Sequence, residues 1–124
     1  VYTIILTGES RQRKTAVSTR KAVAAFQMRD NARWHNEAVE YIYALELKGK
    51  IKPITESERV KLTVTFYHGD LKESDSDNQL SSILDTLVDA GILPDDNWRI
   101  IPHKEIFDAY DKDNARCIIS LATI

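Results

Sequence analysis

Residues 60–68 read "VKLTVTFYH", and shortly after them residues 80–91 read "LSSILDTLVDAG". In the first stretch Val60, Leu62, Val64 and Phe66 alternate with Lys61, Thr63, Thr65 and Tyr67, the period of a strand buried on one face. In the second, Leu80, Ile83, Leu84, Leu87 and Val88 recur at i, i+3, i+4, i+7 and i+8, the period of a helix with one apolar side, and Gly91 ends it. A strand that gives way to a helix across a short polar connector is the building unit of a sheet covered by helices.

Working outward, "VYTIIL" at the start has the length and β-branched content of a strand. Residues 8–27 mix Gly, Ser and Thr with basic residues at weak periodicity and read as a long, mobile basic loop. Asp30 or Asn31 can cap a helix in which Trp34, Ala38, Tyr41, Ile42 and Leu45 recur, with Gly49 as its stop. Beyond Gly91, strands are expected near "NWRIIPH" and "ARCIISLATI". The order β-α-β-α-β-β predicts an α/β (α+β) single-domain sandwich over residues 1–124, a mixed sheet with two packed helices.

Composition agrees with one domain: 124 residues, 43% of them hydrophobic and 29% charged, suffice for one core and leave a solvated surface. The first apolar run is too short for a membrane span or signal peptide, so a soluble, cytoplasmic protein is expected. Cys117 is the single cysteine, and within "CIISLATI" it reads as a buried thiol in a strand. The net charge of −2 conceals an asymmetry. Residues 1–35 carry Arg11, Arg13, Lys14, Arg20, Lys21, Arg29 and Arg33 against Glu9 and Asp30, whereas the remainder is strongly acidic. That division suits one surface for polyanions and another for cations.

The acidic surface has a focus in "ESDSDNQLSS", residues 73–82. Asp75 and Asp77 are two apart, so in an extended connector both side chains leave on one side. "GILPDDNW" adds Asp95 and Asp96 after a turn at Pro94 and is expected to bring a third carboxylate back beside them. Carboxylates held that close share protons or bind a cation, and Mg²⁺ suits an all-oxygen set, with Mn²⁺ also accepted. The plainer readings are a capping box from Ser76 and Gln79, Asp77 as a helix cap, and ordinary turn chemistry in "PDDN". An EF-hand is excluded, because counting from Asp75 puts Leu80 where glycine is needed and Thr86 where glutamate is needed. "GESRQRKT" nearly spells a P-loop, yet Arg13 replaces the second glycine, so no nucleotide cofactor is expected. His35, His68, His103 and Cys117 lack zinc-ligand spacing.

The stretch "DSDNQLSSILDTLVDAGILPDDNW" resembles the signature of the RusA-like Holliday-junction resolvases. In that family D-x-D-N opens a helix of the form L-x-x-x-x-D-x-L-x-x-A-G and a D-D pair follows. Asp75, Asp77, Asn78, Leu80, Asp85, Leu87, Ala90, Gly91, Asp95 and Asp96 stand at matching offsets, while residues 1–59 match loosely. The resemblance implies a homodimeric, Mg²⁺-dependent endonuclease that nicks two strands of a four-way DNA junction. It would act in the recombination and repair of a bacterial cell, phage or prophage, with Asp75, Asp77 and Asp96 as metal-binding catalytic residues. The basic residues above, with Lys72, would hold the DNA, and Phe26 and Trp34 among them read as core aromatics. The family's lysine one helical turn after the second aspartate is here Ser81, which keeps open a catalytically weak or inactive branched-DNA-binding module.

Overall fold

A computed structural model describes the backbone of residues 2–7, 20–71 and 76–124, and the side chains of residues 2–7, 33–71 and 79–124. The elements run β1 (Tyr2–Thr7), α1 (Arg20–Leu47), β2 (Val60–His68), α2 (Ser76–Asp89), β3 (His103–Tyr110) and β4 (Arg116–Thr123). The four strands form one mixed sheet in the order β1-β4-β2-β3, so the fold is α+β, with two helices among the described residues, as the periodicities imply.

Alternation places the core. Val60, Leu62, Val64 and Phe66 of β2 are buried together with Cys117, Ile119 and Leu121 of β4 and Ile4 and Leu6 of β1. Register explains why these rows coincide, since Leu62 lies opposite Leu121, Val64 opposite Ile119, and Ile4 opposite Ile119. Ile83 and Leu87 of α2 and Ala38 and Ile42 of α1 cover that face. Strand β2 pairs antiparallel with β4 and parallel with β3, and α2 is the crossover that a parallel pair requires.

Both helices end alike. Gly49 has φ 72° and Gly91 φ 79°, the left-handed conformation in which glycine is least strained. Lys50 N–H donates to Leu45 O and Gly49 N–H to Glu46 O; Ile92 N–H donates to Leu87 O and Gly91 N–H to Val88 O. Each set is a Schellman cap, and Ile92 drops into the core straight after its glycine. One polar clamp joins the helices: His35 Nε2 donates to Asp89 Oδ2 at 2.7 Å, and its Nδ1 lies 3.1 Å from Thr86 Oγ1, whose hydroxyl donates to Ser82 O.

Three expectations need correction. Helix α1 begins at Arg20, so residues 20–27 are not loop and Asp30 and Asn31 lie inside the helix instead of capping it; "RKAVAAFQ" is rich in helix formers, but its apolar residues follow no clear stripe. Tyr41, expected in the apolar stripe, is 47% exposed. The strand expected at "NWRIIPH" starts only at His103. Asn97 turns the chain there, its Oδ1 accepting from Arg99 and Ile100 N–H and its carbonyl from Ile101 N–H, so Ile100 and Ile101 plug the core from a turn.

Candidate functional site

Because β1 and β3 both run in the direction of β2, one end of the sheet collects the carboxyl ends of three strands. In open sheets with parallel strands, that end is where loops assemble binding sites. Here β2 hands over to α2, whose first turn carries Asp77. Thr7, where β1 ends, is level with Arg116 and Tyr67. β1 and β2 therefore finish at the same end of the sheet.

The side chains at this end are polar and tied to one another. His68 Nε2 donates to Asp108 Oδ1 at 2.8 Å, joining the last residue of β2 to β3. The imidazole stacks on Phe66 with centroids 6.2 Å apart, and its side chain is 15% exposed against 44% for Asp108, so the pair sits at the rim of the core. Asp70 follows, exposed, two residues along. Arg116 lies 3.9 Å over the Tyr67 ring and donates to Asp111 Oδ2 at 2.7 Å and to Asn114 O. The Arg116 hydrogen bond holds the Asp111 carboxyl below its usual pKa. Asp111 N–H donates to His68 O, which ties the loop after β3 over the end of β2. A Cβ on Gly69 would stand 3.2 Å from that of Ala115, a tight contact that the loop would have to ease by a few tenths of an ångström.

Of the expected site residues, Asp75, Lys72, Arg11, Arg13 and Lys14 lie outside the described residues. Asp77 stands in the first turn of α2, and Arg20, Lys21 and Arg29 stand on α1, with their side chains outside the described set. Arg33 is exposed on α1, where Trp34 is half buried against the core, and Ser81 is exposed on α2 one turn after Asp77. Asp95 and Asp96 are elsewhere.

The expected return of Asp96 to the side of Asp77 does not occur within one chain. Helix α2 is 14 residues long, about 20 Å at 1.5 Å per residue, and it carries the chain to the other end of the sheet. There Ile92 O accepts from Ile54 N–H and Ile100 O from Val60 N–H, at the amino end of β2. Asp95 is occupied with its own turn: Oδ1 accepts from Asp96 N–H at 2.7 Å and Oδ2 from Asn97 Nδ2 at 3.1 Å. The first of these bonds does most to lower its pKa. Among the described residues no three carboxylate, imidazole or thiolate groups converge on one point.

The three histidines each meet a carboxylate at separate places: Asp89 for His35, Asp108 for His68 and Glu105 for His103. His68 and Asp108 escape sequence reasoning as a pair, because only the adjacency of β2 and β3 joins them. Cys117 is buried, and desolvation pushes its thiol up to about 12. Among the described residues no helix is long and apolar enough to cross a membrane. Comparison of the chain with protein-family models and with curated proteins finds no match in either.

Proposed function

We propose that the chain is a RusA-like, Mg²⁺-dependent endodeoxyribonuclease that cuts four-way DNA junctions by paired phosphodiester hydrolysis. The observation that carries the reading is the spacing of residues 75–98 in the sequence, supported by the start of α2 at Ser76, which follows β2 directly in the element order. The carboxylates of Asp75 and Asp77 supply hard oxygen donors, which suit Mg²⁺ or Mn²⁺, and Asp70 adds another on the same connector. When bound there, the metal would lower the pKa of a water and stabilise the departing 3′-oxygen. Arg20, Lys21, Arg29 and Arg33 on α1, with Arg11, Arg13, Lys14 and Lys72, neutralise DNA phosphates and so keep the acidic connector from repelling the strand it cuts. A homodimer supplies the two cuts that a symmetric junction needs.

Ser81 supports a second reading, a branched-DNA-binding module with little or no catalysis. The position one turn after Asp77 carries no cation for the scissile phosphate, and Arg116 at the neighbouring strand ends is committed to Asp111 and Tyr67. A nicking assay on a mobile synthetic four-way junction against linear duplex, with Mg²⁺ and with EDTA, separates the two. Paired, metal-dependent nicks confined to the junction are expected, with Ser81→Lys raising the rate about tenfold or more. Junction binding without cleavage, in both the native chain and Ser81→Lys, would leave the module reading standing.

A further inference from the structure

Three polar side chains meet in the junction between α1 and α2, and their protons can be counted. His35 of α1 has Nε2 2.7 Å from Asp89 Oδ2 and Nδ1 3.1 Å from Thr86 Oγ1, both on α2. Thr86 Oγ1 in turn lies 2.8 Å from Ser82 O. A hydroxyl has one proton and a carbonyl only accepts, so a hydroxyl that donates to Ser82 O can do nothing but accept from His35. Nδ1 then carries a proton. A carboxylate also only accepts, so Nε2 carries the other. The lengths agree with these roles: 2.8 Å is usual for O–H···O, 3.1 Å falls within the range of N–H···O, and 2.7 Å is the short contact of a charge-assisted bond. A threonine, a histidine and an aspartate in series also describe a nucleophile with its base, but Thr86 is fully buried, so no substrate reaches its hydroxyl.

We propose that His35 is an imidazolium in the native fold and that the α1–α2 junction is thereby a pH-sensitive lock. With both protons, His35 joins Asp89 to the Ser82 carbonyl through Thr86. On losing one, the ring keeps a single donor, the ion pair with Asp89 disappears, and the Thr86 hydroxyl has to leave Ser82 O to donate to Nδ1. The surrounding charges favour the protonated ring. On α2, Asp85 stands one turn before Asp89 on the same side. On α1 the positions one turn from His35 are Asn31, Ala32, Ala38 and Val39, without charge, while Arg33 and Glu37 are two positions away and on the other side of the helix. On the sheet face under the helices, register puts Lys104 and Asp108 of β3 beside Leu62 and Phe66, and they bond Ile101 O and His68. The His35 side chain is 27% exposed and that of Asp89 58%, so the proton can exchange with solvent. The lock joins the helix that carries Arg20, Lys21, Arg29 and Arg33 to the helix that opens with Asp77 in its first turn. It stands on hydrogen-bond geometry alone and is independent of the nuclease reading.

Long-range proton–nitrogen NMR of the histidine rings in the whole chain, assigned through the backbone, reads the protons directly. At about pH 7, where an ordinary histidine has mostly lost its charge, His35 should show two protonated ring nitrogens. Thr86→Val removes the acceptor of Nδ1–H and Asp89→Asn the negative charge at Nε2, so each should leave His35 with one unprotonated nitrogen at that pH. Stability supplies a second readout. A histidine whose protonated form is the one bonded in the native state contributes stability that is present at low pH and is lost as pH rises through its native titration. The urea midpoint should therefore fall between about pH 6 and about pH 8, and His35→Gln should reduce that fall about twofold or more. An unprotonated ring nitrogen on His35 of the native chain at about pH 7 overturns the proposal. So does a fall in the midpoint that is the same in the native chain and in His35→Gln.

Discussion

Asp77 and Asp96 are the residues on which the resemblance and the single chain diverge. Both match the family pattern by offset, but α2 sets them at opposite ends of the sheet. If the metal site belongs to the α2 start, Asp77→Asn should abolish Mn²⁺ binding followed by electron paramagnetic resonance, whereas Asp96→Asn keeps it. Metal binding retained in Asp96→Asn together with lost cleavage would assign Asp96 to the site of a second copy. Loss of the first metal in Asp96→Asn would refute the one-chain site. Cys117 makes a simpler prediction. With its thiol pushed up to about 12 by burial, it should not react with a disulfide reagent at pH 8 until the protein unfolds. Reaction at the rate of a small thiol would place it at the surface instead.

At the scale of elements, the helix stops and the polar ties carry the argument. Gly91 sits at φ 79° with nothing near an added Cβ, so Gly91→Ala is strained by backbone conformation alone and should cost about 1 kcal/mol in urea unfolding. An unchanged midpoint would mean that the turn relaxes. The βαβ unit of β2, α2 and β3 brings His68 to Asp108, and that pair ties the two strands at the end where α2 starts. Legibility differed among the elements for physical reasons. β2 and α2 each bury one face, so burial wrote their periods into the sequence. β3 lies at an edge with exposed and half-buried residues on both faces, so its alternation is faint, and the apolar pair Ile100–Ile101 in the preceding turn imitates a strand. Among the described side chains of α1, Ala38 and Ile42 are the buried ones, and the sequence after Arg20 offers no apolar stripe to read.

For the whole molecule, charge pairing at the sheet surface links stability to pH. Asp95, Glu105 and Asp111 all have lowered pKa values, through hydrogen bonds from Asp96 N–H, His103 and Arg116 respectively. A carboxyl lowered on folding stabilises the native state above its unfolded pKa, and that contribution is lost as pH falls through the folded one. The melting temperature should therefore drop below about pH 4, and Asp111→Asn should flatten that drop. Because these groups are exposed or half-exposed, added salt should shrink the effect, and an acid limb identical in Asp111→Asn would remove Asp111 from the account. The sequence by itself determined the mixed α+β class, the core rows of β2 and α2, the two glycine stops, the burial of Cys117 and the acidic stretch ahead of α2. All of these are local, set by period, turn chemistry and burial along a few residues. Only the tertiary structure decided that β4 lies between β1 and β2, that His68 meets Asp108, and that Asp96 stands a helix length from Asp77. Strand order and loop destination depend on contacts between distant segments, and neither leaves a periodic trace in the chain that makes them.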